Sequence, residues 1–274
     1  MKIGFNNKLT IDRLTKVGLF LTDGKKDVLL PLKYIPKKYE IGDEINVFVY
    51  LDHEERPVAT TLKPYITVGN FAYLSVNYIN KFGAFLNWGL EKDLFVPFKE
   101  QARPMEEKKR YLVFAYIDEK TNRIVASSRI SRFLNNENLE IEIGEEVDLI
   151  VSHITELGIN VIINNKHSGL IYKSDVYEEL KTGQKIKGFI KTIREDNKID
   201  VVLQKQGFEN IASFTEIILS ELKANKGFLR LNDNSHPEDI KTVLKMSKKN
   251  FKKAIGNLYK ERVIEIKEDG IYLL

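Results

Sequence analysis

Three stretches of the chain repeat the same pattern, and this repetition limits what the chain can fold into. Phe-Val-Tyr-Leu-Asp at residues 48–52 recurs as Phe-Ala-Tyr-Ile-Asp at residues 114–118. Each copy follows an apolar-Pro step, at residues 30–31 and 96–97, and a looser third copy begins at residues 169–172. The period of roughly 65 to 70 residues is too long for a solenoid repeat and suits a small domain. The sequence therefore predicts three small units in tandem, followed by a remainder.

The second unit shows the strand pattern of these repeats most clearly. Alternating β-prone residues predict five strands, with a turn at residues 77–80 after the first. The predicted strands cover residues 71–76, 81–86, 94–98, 111–117 and 123–127. Gly83, inside the second strand, indicates a bulge or a close backbone approach. Five short strands in about 65 residues favour a small antiparallel barrel, and units this small are expected to pack on their neighbours.

Two aromatic residues of the second predicted strand, Phe82 and Phe85, are candidates for a binding surface. Side chains alternate between the two faces of a strand, so these rings share a face only if Gly83 carries a bulge. One interpretation places both rings in the core. The other is an exposed platform for nucleobases, because stacking on an aromatic ring suits any base.

Composition and motif searches exclude several classes of protein. The chain has no cysteine, which excludes disulfides and thiolate metal sites. Its four histidines, His53, His153, His167 and His236, lack metal-ligand spacing. No apolar run approaches the length of a membrane span, and residues 1–7 lack the apolar core of a signal peptide. We therefore predict a cytoplasmic protein that has no catalytic residues, metal, cofactor, membrane partner or small-molecule substrate.

After residue 208 the apolar period changes from that of strands to that of helices. The spacing predicts one helix capped by Ser213, with Ile217 on its apolar stripe, and another capped by Ser247. Pro237 indicates the start of a short helix between them. The predicted helices cover residues 213–223, 237–244 and 248–260, and strands follow at 263–266 and 271–274. Three helices followed by a hairpin are the order of a winged helix.

The third predicted helix carries lysines on one side, and this is where the modest net charge of +4 is concentrated. A winged helix usually contacts nucleic acid through its third helix. Such a lysine side could hold phosphates of any sequence, or it could be a solvated surface that keeps a small domain soluble. The candidate phosphate-binding lysines are Lys245, Lys248, Lys249, Lys252 and Lys253.

The strand at residues 81–86, Lys-Phe-Gly-Ala-Phe-Leu, resembles the corresponding strand of S1 domains, which are OB-fold RNA-binding barrels. The resemblance implies that Phe82 and Phe85 contact nucleic acid. At the aligned positions the first unit has Val17 and Phe20, and the third has Leu157 and Asn160. In the third unit, residues 169–175 resemble the S1 segment Gly-Leu-x-His-x-Ser-Glu, with Tyr172 in place of histidine. The second unit alone has the full aromatic pair.

Residues 227–235 and 246–260 extend the resemblance beyond S1 domains. The block Lys-Lys-Asn-Phe-Lys-Lys-Ala-Ile-Gly at residues 248–256 is similar to the conserved virulence factor B family, which has tandem S1-like domains and a C-terminal winged helix. The resemblance covers essentially the whole chain. It implies cytoplasmic RNA binding and an influence on bacterial gene expression after transcription, including virulence-related genes.

The sequence thus predicts a mainly β multidomain protein, with three S1-like five-stranded barrels followed by an α+β winged helix. The expected domains are residues 1–63, 64–136, 137–207 and 208–274. The predicted function is non-catalytic binding of single-stranded RNA. Bases would stack on Phe82 and Phe85, helped by Tyr73 or Trp88 and, in the third unit, by the flat ring of Tyr172. Phosphates would be held by Lys81, Arg123, Lys173 and the lysines of the third helix.

Two alternatives remain open at this stage. A transcription regulator could bind duplex DNA through residues 247–260, although that helix offers lysine rather than the arginine that makes bidentate contacts to guanine. A protein-interaction scaffold would instead present an exposed apolar patch on a barrel and have little affinity for nucleic acid. The sequence leaves the RNA target and the oligomeric state open.

Overall fold

The structure, a computed structural model, describes residues 1–176, 179–203 and 209–274. The chain divides into two compact units, Met1–Leu134 and Asn135–Leu274. The first unit contains two closed five-stranded barrels, and the second contains a third barrel and a domain of three helices and a three-stranded sheet. The predicted fold class is confirmed. None of the helices in the described ranges is both long enough and apolar enough to cross a bilayer.

All three barrels share one strand order, in which the first strand pairs with the second and fourth and the fifth lies between the third and fourth. The first barrel consists of β1 (Phe5–Thr15), β2 (Gly18–Thr22), β3 (Asp27–Pro31), β4 (Glu44–Leu51) and β5 (Pro57–Thr60). The second consists of β6 (Phe71–Asn80), β7 (Gly83–Asn87), β8 (Leu94–Pro97), β9 (Arg110–Ile117) and β10 (Ile124–Ser127). The third consists of β11 (Glu146–Ile154), β12 (Gly158–Ile163), β13 (His167–Tyr172), β14 (Lys185–Ile193) and β15 (Ile199–Val202).

A glycine begins the second strand of every barrel because the third strand passes too close for a side chain. A Cβ built on Gly83 would lie 2.3 Å from the carbonyl oxygen of Val96. Gly18 and Gly158 meet the equivalent carbonyl oxygens at 2.1 and 2.2 Å. The repeated glycine thus reflects a close backbone approach, which was one of the two interpretations of Gly83.

Replacing Gly83 with alanine is expected to destabilise the second barrel by about 1 to 3 kcal/mol, because the new methyl group forces β7 and β8 apart. Gly256 provides a control. It lies within a helix, and a Cβ built there would meet no described atom within 4 Å beyond its own helix. Alanine there should stabilise its helix by about 0.5 to 1 kcal/mol. Thermal unfolding followed by circular dichroism would compare the two variants, and an unchanged transition for Gly83→Ala would contradict the steric argument.

The first strand of the second barrel is longer than its sequence pattern predicts. β6 continues to Asn80, so the predicted turn at residues 77–80 is wrong and the turn lies at residues 81–82. The register between β6 and β7 shifts between Val76 and Tyr78. This bulge inserts one extra residue, which interrupts the alternation of apolar and polar residues and gives the strand end the appearance of a loop. The first and third barrels have the same shift at Ile11/Arg13 and Val151/His153.

Side chains of the first barrel pack against the core of the second, as expected for units this small. Phe48 and Tyr50 of β4 contribute to the same cluster as Trp88, which follows β7. The Trp88 ring meets Phe48 edge-on at 5.7 Å and Tyr50 at 6.4 Å between ring centroids. The first barrel also has a separate core of its own, so the two barrels meet at an apolar contact between two interiors.

The C-terminal domain has the predicted order of a winged helix. Its elements are α1 (Glu209–Ala224), β16 (Phe228–Leu229), α2 (Pro237–Leu244), α3 (Lys248–Lys260), β17 (Ile264–Lys267) and β18 (Gly270–Leu273). The Ser247 hydroxyl caps α3 by accepting from the Asn250 amide, as predicted. Ser213 lies inside α1 and is not its N-cap, because the helix begins four residues earlier. Ile217 is 40% exposed and does not join the buried stripe.

Candidate nucleic-acid interface

The second barrel presents a row of three stacked aromatic rings on its outer face. Tyr78, Phe85 and Phe95 are partners in register across β6, β7 and β8. The Tyr78 and Phe85 rings are 4.5 Å apart and nearly parallel, at 8°, and the Phe85 and Phe95 rings are 5.0 Å apart at 35°. The bulge in β6 places Tyr78 opposite Phe85. Together the rings form an apolar row that lines one cavity, and aromatic rings of this kind are partners for bases.

Phe82 lies beside this row, in the turn before β7, and 61% of it is exposed. Its backbone amide donates to the Asn80 side chain over 2.8 Å, which fixes the turn. The Lys81 ammonium lies 5.1 Å from the centroid of the Phe82 ring. Because Phe82 is in the turn rather than on the strand, its ring and that of Phe85 line the same cavity without a bulge at Gly83. The interpretation that both rings are core is wrong.

The aromatic row forms one wall of a cavity of about 540 Å³, and the first barrel supplies the opposite wall. Tyr50, His53 and Glu55, from β4 and the loop after it, line the cavity together with Phe82 and Phe85. This volume is within the range of about 300 to 1,000 Å³ typical of small-ligand sites. The first barrel therefore contributes to the lining of this cavity.

Two polar contacts hold the β4–β5 loop against the second barrel. The Lys92 ammonium donates to the main-chain carbonyl of Asp52 over 2.7 Å, and Arg123 forms an ion pair with Glu55. Burial lowers the pKa of the Lys92 ammonium. Arg123 was predicted to hold phosphate. It lines the cavity, but its charge is already paired with a carboxylate of the neighbouring barrel.

Asp93, which precedes β8, places a half-buried carboxylate in the same cavity. Its Oδ1 accepts from the Asn77 amide over 2.8 Å. Among the residues described, Asp93 forms no ion pair within 4.0 Å. Burial raises the pKa of the Asp93 carboxyl, and the Asn77 hydrogen bond and the charge of His53 only partly oppose this effect. The cavity therefore contains a hydrogen-bond acceptor that is poorly compensated within the protein.

Replacing Asp93 with asparagine is expected to raise the melting temperature at neutral pH. The pKa of the Asp93 carboxyl is higher in the folded state than in the unfolded state. The carboxyl therefore contributes its full stability only below its unfolded pKa, and this contribution is lost as pH rises through its folded pKa. The gain from Asp93→Asn should therefore vanish in acid. Asp118→Asn is the control, and it should lower the melting temperature at neutral pH, because backbone N–H donors lower the pKa of Asp118. Melting curves across pH would test both, and a loss at neutral pH for Asp93→Asn would contradict the argument.

Two predicted stacking residues are not available at this site. Trp88 is only 3% exposed, and its indole N–H donates to the Lys92 carbonyl, so it supports the cavity from within the core. Tyr73 is on β6 but five residues before Tyr78, about 16 Å along an extended strand. Its ring lies under the Arg110 guanidinium, 4.9 Å away. Tyr78, Phe95 and Asp93 also line the cavity, although none of them was predicted as a site residue.

The equivalent faces of the other two barrels differ chemically. In the first barrel, Arg13 lies 4.4 Å over the Phe20 ring, and the third position is Leu29. In the third barrel the row is His153, Asn160 and Leu170. Phe82 has the counterparts Val17 and Leu157, which are 58% and 60% exposed. Neither barrel offers a continuous aromatic surface.

The third barrel places its predicted residues at the end of β13. Arg194 lies 5.8 Å from the Tyr172 ring centroid, donates to its hydroxyl and pairs with Asp200. Lys173 is exposed and begins a short 3₁₀ turn. The Tyr172 ring is thus flanked by an arginine whose charge is shared with a carboxylate.

The predicted lysine surface lies on α3 of the C-terminal domain. Phe251, Ala254, Ile255 and Leu258 are buried, which directs the lysines outward. Lys249, Lys252 and Lys253 are exposed and pair with no carboxylate among the described residues, while Lys248 donates to the Asn234 carbonyl over 3.4 Å. Lys245 is the left-handed C-cap residue of α2 and is also exposed. We use "the lysine surface" for these five residues.

The hairpin after α3 carries charge of the opposite sign. Its strands and turn contain Glu265, Lys267, Glu268 and Asp269, with Lys267 paired to Glu265 at 3.0 Å. The Tyr272 hydroxyl donates to Asp269. An acidic hairpin repels phosphates, so the hairpin and the lysine surface do not form one continuous surface for a duplex.

Comparison with known proteins gives family matches for the barrel with the aromatic row and for the domain with the lysine surface. The S1 domain family matches residues 3–62 and 68–128, which contain the first two barrels, and the CvfB-like winged helix domain matches residues 216–273. The chain is similar to the conserved virulence factor B family. The aromatic row lies in the second S1 match, and the lysine surface lies in the winged helix match.

Relatives of known sequence align over most of the chain. YitL of Bacillus subtilis is 29% identical over 271 residues, covering 95% of this chain and 90% of that protein. Conserved virulence factor B of Staphylococcus epidermidis is 24% identical over 242 residues, covering 86% and 81%. A crystal structure of a multidomain protein with nucleic acid binding domains from Streptococcus pneumoniae is 24% identical, covers 99% of this chain and 98% of that one, and has a TM-score of 0.43.

Proposed function

We propose that this protein binds single-stranded RNA without catalysis and influences bacterial gene expression after transcription, in the cytoplasm and including virulence-related genes. The observation that carries the proposal is the row of Tyr78, Phe85 and Phe95 beside exposed Phe82, on an S1 barrel and facing a cavity. Stacking on such a row contributes about 1 to 3 kcal/mol per base and tolerates any sequence. The relatives' name supplies the connection to virulence.

The shape of the site favours unpaired bases. The rings face a cavity whose other wall is the first barrel, so a base must leave its own stack to reach them. Bases in a duplex are already stacked and paired, whereas bases in single strands are free to turn outward. The winged helix offers a weaker duplex site, because α3 has lysines without arginine and the following hairpin is acidic. These features make duplex DNA the second candidate partner.

The lysine surface is proposed to add affinity rather than sequence preference. Lysine ammonium groups attract phosphates of any nucleic acid, and each phosphate neutralised releases counterions. A strand held at both the aromatic row and the lysine surface binds more tightly than at either, because the second contact forms at high effective concentration. This gives a physical reason for placing several weak modules on one chain.

Binding of labelled single-stranded RNA across a salt series, with duplex DNA as competitor, tests the proposal. RNA should be preferred, and the Lys248/Lys249/Lys252/Lys253→Ala variant should have a slope of log affinity against log salt that is shallower by about 0.7 per lost phosphate contact. A variant with alanine at Lys25, Lys26, Lys37 and Lys38 removes the same charge from exposed loops of the first barrel and is the control. Its slope should stay closer to that of wild type.

Two outcomes would contradict the proposal. A preference for duplex DNA would favour transcriptional regulation through the winged helix. Absence of binding to either nucleic acid at low salt would favour a protein-interaction scaffold, which was the remaining alternative from the sequence.

A further inference from the structure

We infer that the cavity between the first two barrels is a pocket for one guanine base of the RNA, and that Asp93 recognises the base through its N1–H and N2–H donors. This inference rests on the proposed function and adds base selectivity to it. The aromatic row accepts any base, so selectivity requires a polar group beside the rings, and the cavity contains such a group.

A comparison of two barrels within the same chain shows that the Asp93 carboxylate is unusual. Asp27 occupies the same position in the first barrel, two residues before Leu29 as Asp93 is two residues before Phe95. Arg13 donates to Asp27 over 2.9 Å and covers the Phe20 ring, so both the carboxylate and the ring are occupied. That arginine holds the pKa of Asp27 below its ordinary value.

Tyr78 takes the place of Arg13 in the second barrel, and this exchange opens the site. The ring of Tyr78 stacks on that of Phe85 and so extends the aromatic row, and the Asp93 carboxylate loses its cation. Asn77 supplies one hydrogen bond to Oδ1, which leaves lone pairs on both oxygens for a ligand. The change therefore creates a stacking surface and a free acceptor beside each other.

The acceptor chemistry of a carboxylate distinguishes guanine from the other bases. Guanine presents two adjacent N–H donors on its Watson–Crick edge, which match the two oxygens of a carboxylate. Adenine and cytosine each present one amino donor next to a ring nitrogen acceptor, and uracil presents one N–H between two carbonyl oxygens. In those three cases a lone pair faces the carboxylate and repels it. A good bidentate pair discriminates by about 5- to 150-fold.

The first barrel forms one side of the pocket. Tyr50, His53 and Glu55 form the wall opposite the aromatic row, and the Lys92 and Arg123 contacts keep this wall in place. Excluding water from the pocket strengthens a hydrogen bond between the base and a carboxylate. A barrel that lacks an aromatic row of its own thus contributes to the site as its wall.

Affinity measurements with four short RNAs test the inference. Each is a uridine-rich oligonucleotide with guanosine, adenosine, cytidine or inosine at one central position. Wild type should prefer guanosine to adenosine and cytidine by about tenfold. Inosine retains N1–H but lacks the N2 amino group, so it should lose most of that preference. Asp93→Asn should bind all four with similar affinity, whereas Asp27→Asn, at the matched position of the first barrel, should behave as wild type.

Each outcome separates the base assignment from the proposed function. Equal affinity for all four RNAs, with binding intact, would overturn the guanine pocket and leave RNA binding standing. A guanosine preference that persists in Asp93→Asn would overturn Asp93 as the group responsible. No affinity for any RNA would overturn the proposed function and the inference with it. Guanosine monophosphate is the last ligand to be tested. If it binds as tightly as the guanosine RNA, the pocket is a site for the free nucleotide, and RNA is overturned as its ligand.

Discussion

Replacing Trp88 with alanine is expected to destabilise the first unit by about 3 to 5 kcal/mol, the range for removing a large buried aromatic side chain. Trp88 is 3% exposed and packs against Phe48 and Tyr50 of the other barrel. Its loss would leave a void between the two barrels and free the Lys92 carbonyl from its indole donor. Since Lys92 also holds the β4–β5 loop, the cavity wall should loosen together with the core.

Hydrogen exchange measured by mass spectrometry would show this loss region by region. Peptides from β4 and β7 should lose protection in Trp88→Ala, while peptides from the second unit serve as an internal reference within the same sample. Trp88→Phe keeps most of the apolar volume and should lose less. Unchanged protection in β4 would show that Trp88 does not couple the two barrels.

The second large effect concerns binding. Phe82→Ala/Phe85→Ala should weaken binding of single-stranded RNA by at least about thirtyfold, because two stacking contacts of 1 kcal/mol or more each are removed. Both rings line the cavity and are partly accessible to solvent, so their removal should affect affinity more than folding. Fluorescence anisotropy of a labelled RNA measures the change, and circular dichroism establishes that the variant is folded.

Phe20→Ala is the matched control for this double variant. Phe20 has the same strand position as Phe85 but lies under the Arg13 guanidinium. Its loss should keep RNA affinity within about twofold of wild type, a free-energy change well below that of one stacking contact. Equal losses for Phe20→Ala and the double variant would show that the aromatic row is not where RNA binds.

The sequence predicted the barrels because local repeats report local structure. The recurring apolar-Pro step and the Phe-x-Tyr-x-Asp segment correspond to β3, β4, β8 and β9, and the Ser247 cap and the buried stripe of α3 were also predicted. Each of these signals lies within one or two elements. They depend on alternation, capping and turn chemistry, which neighbouring residues determine.

The site could be predicted only in part, because its remaining features are non-local. The bulge after Val76 breaks the alternation of β6, so Tyr78 was assigned to a turn and the aromatic row was missed. Trp88 was expected to stack bases, but it is buried by Phe48 and Tyr50 of the other barrel. No local sequence pattern indicates this packing. The cavity depends on a contact between residues 40 positions apart, Asp52 and Lys92, which no single repeat encodes.

Ultraviolet cross-linking of single-stranded RNA to the full chain, followed by mass spectrometry of the cross-linked peptides, would show which residues the bases contact. We expect the main cross-links to fall on peptides containing Phe82, Phe85 or Phe95, where bases stack against rings. Cross-links on the lysine surface of α3 are expected to be fewer, because that surface contacts phosphates. Cross-links confined to α3, with none on the second barrel, would contradict the account.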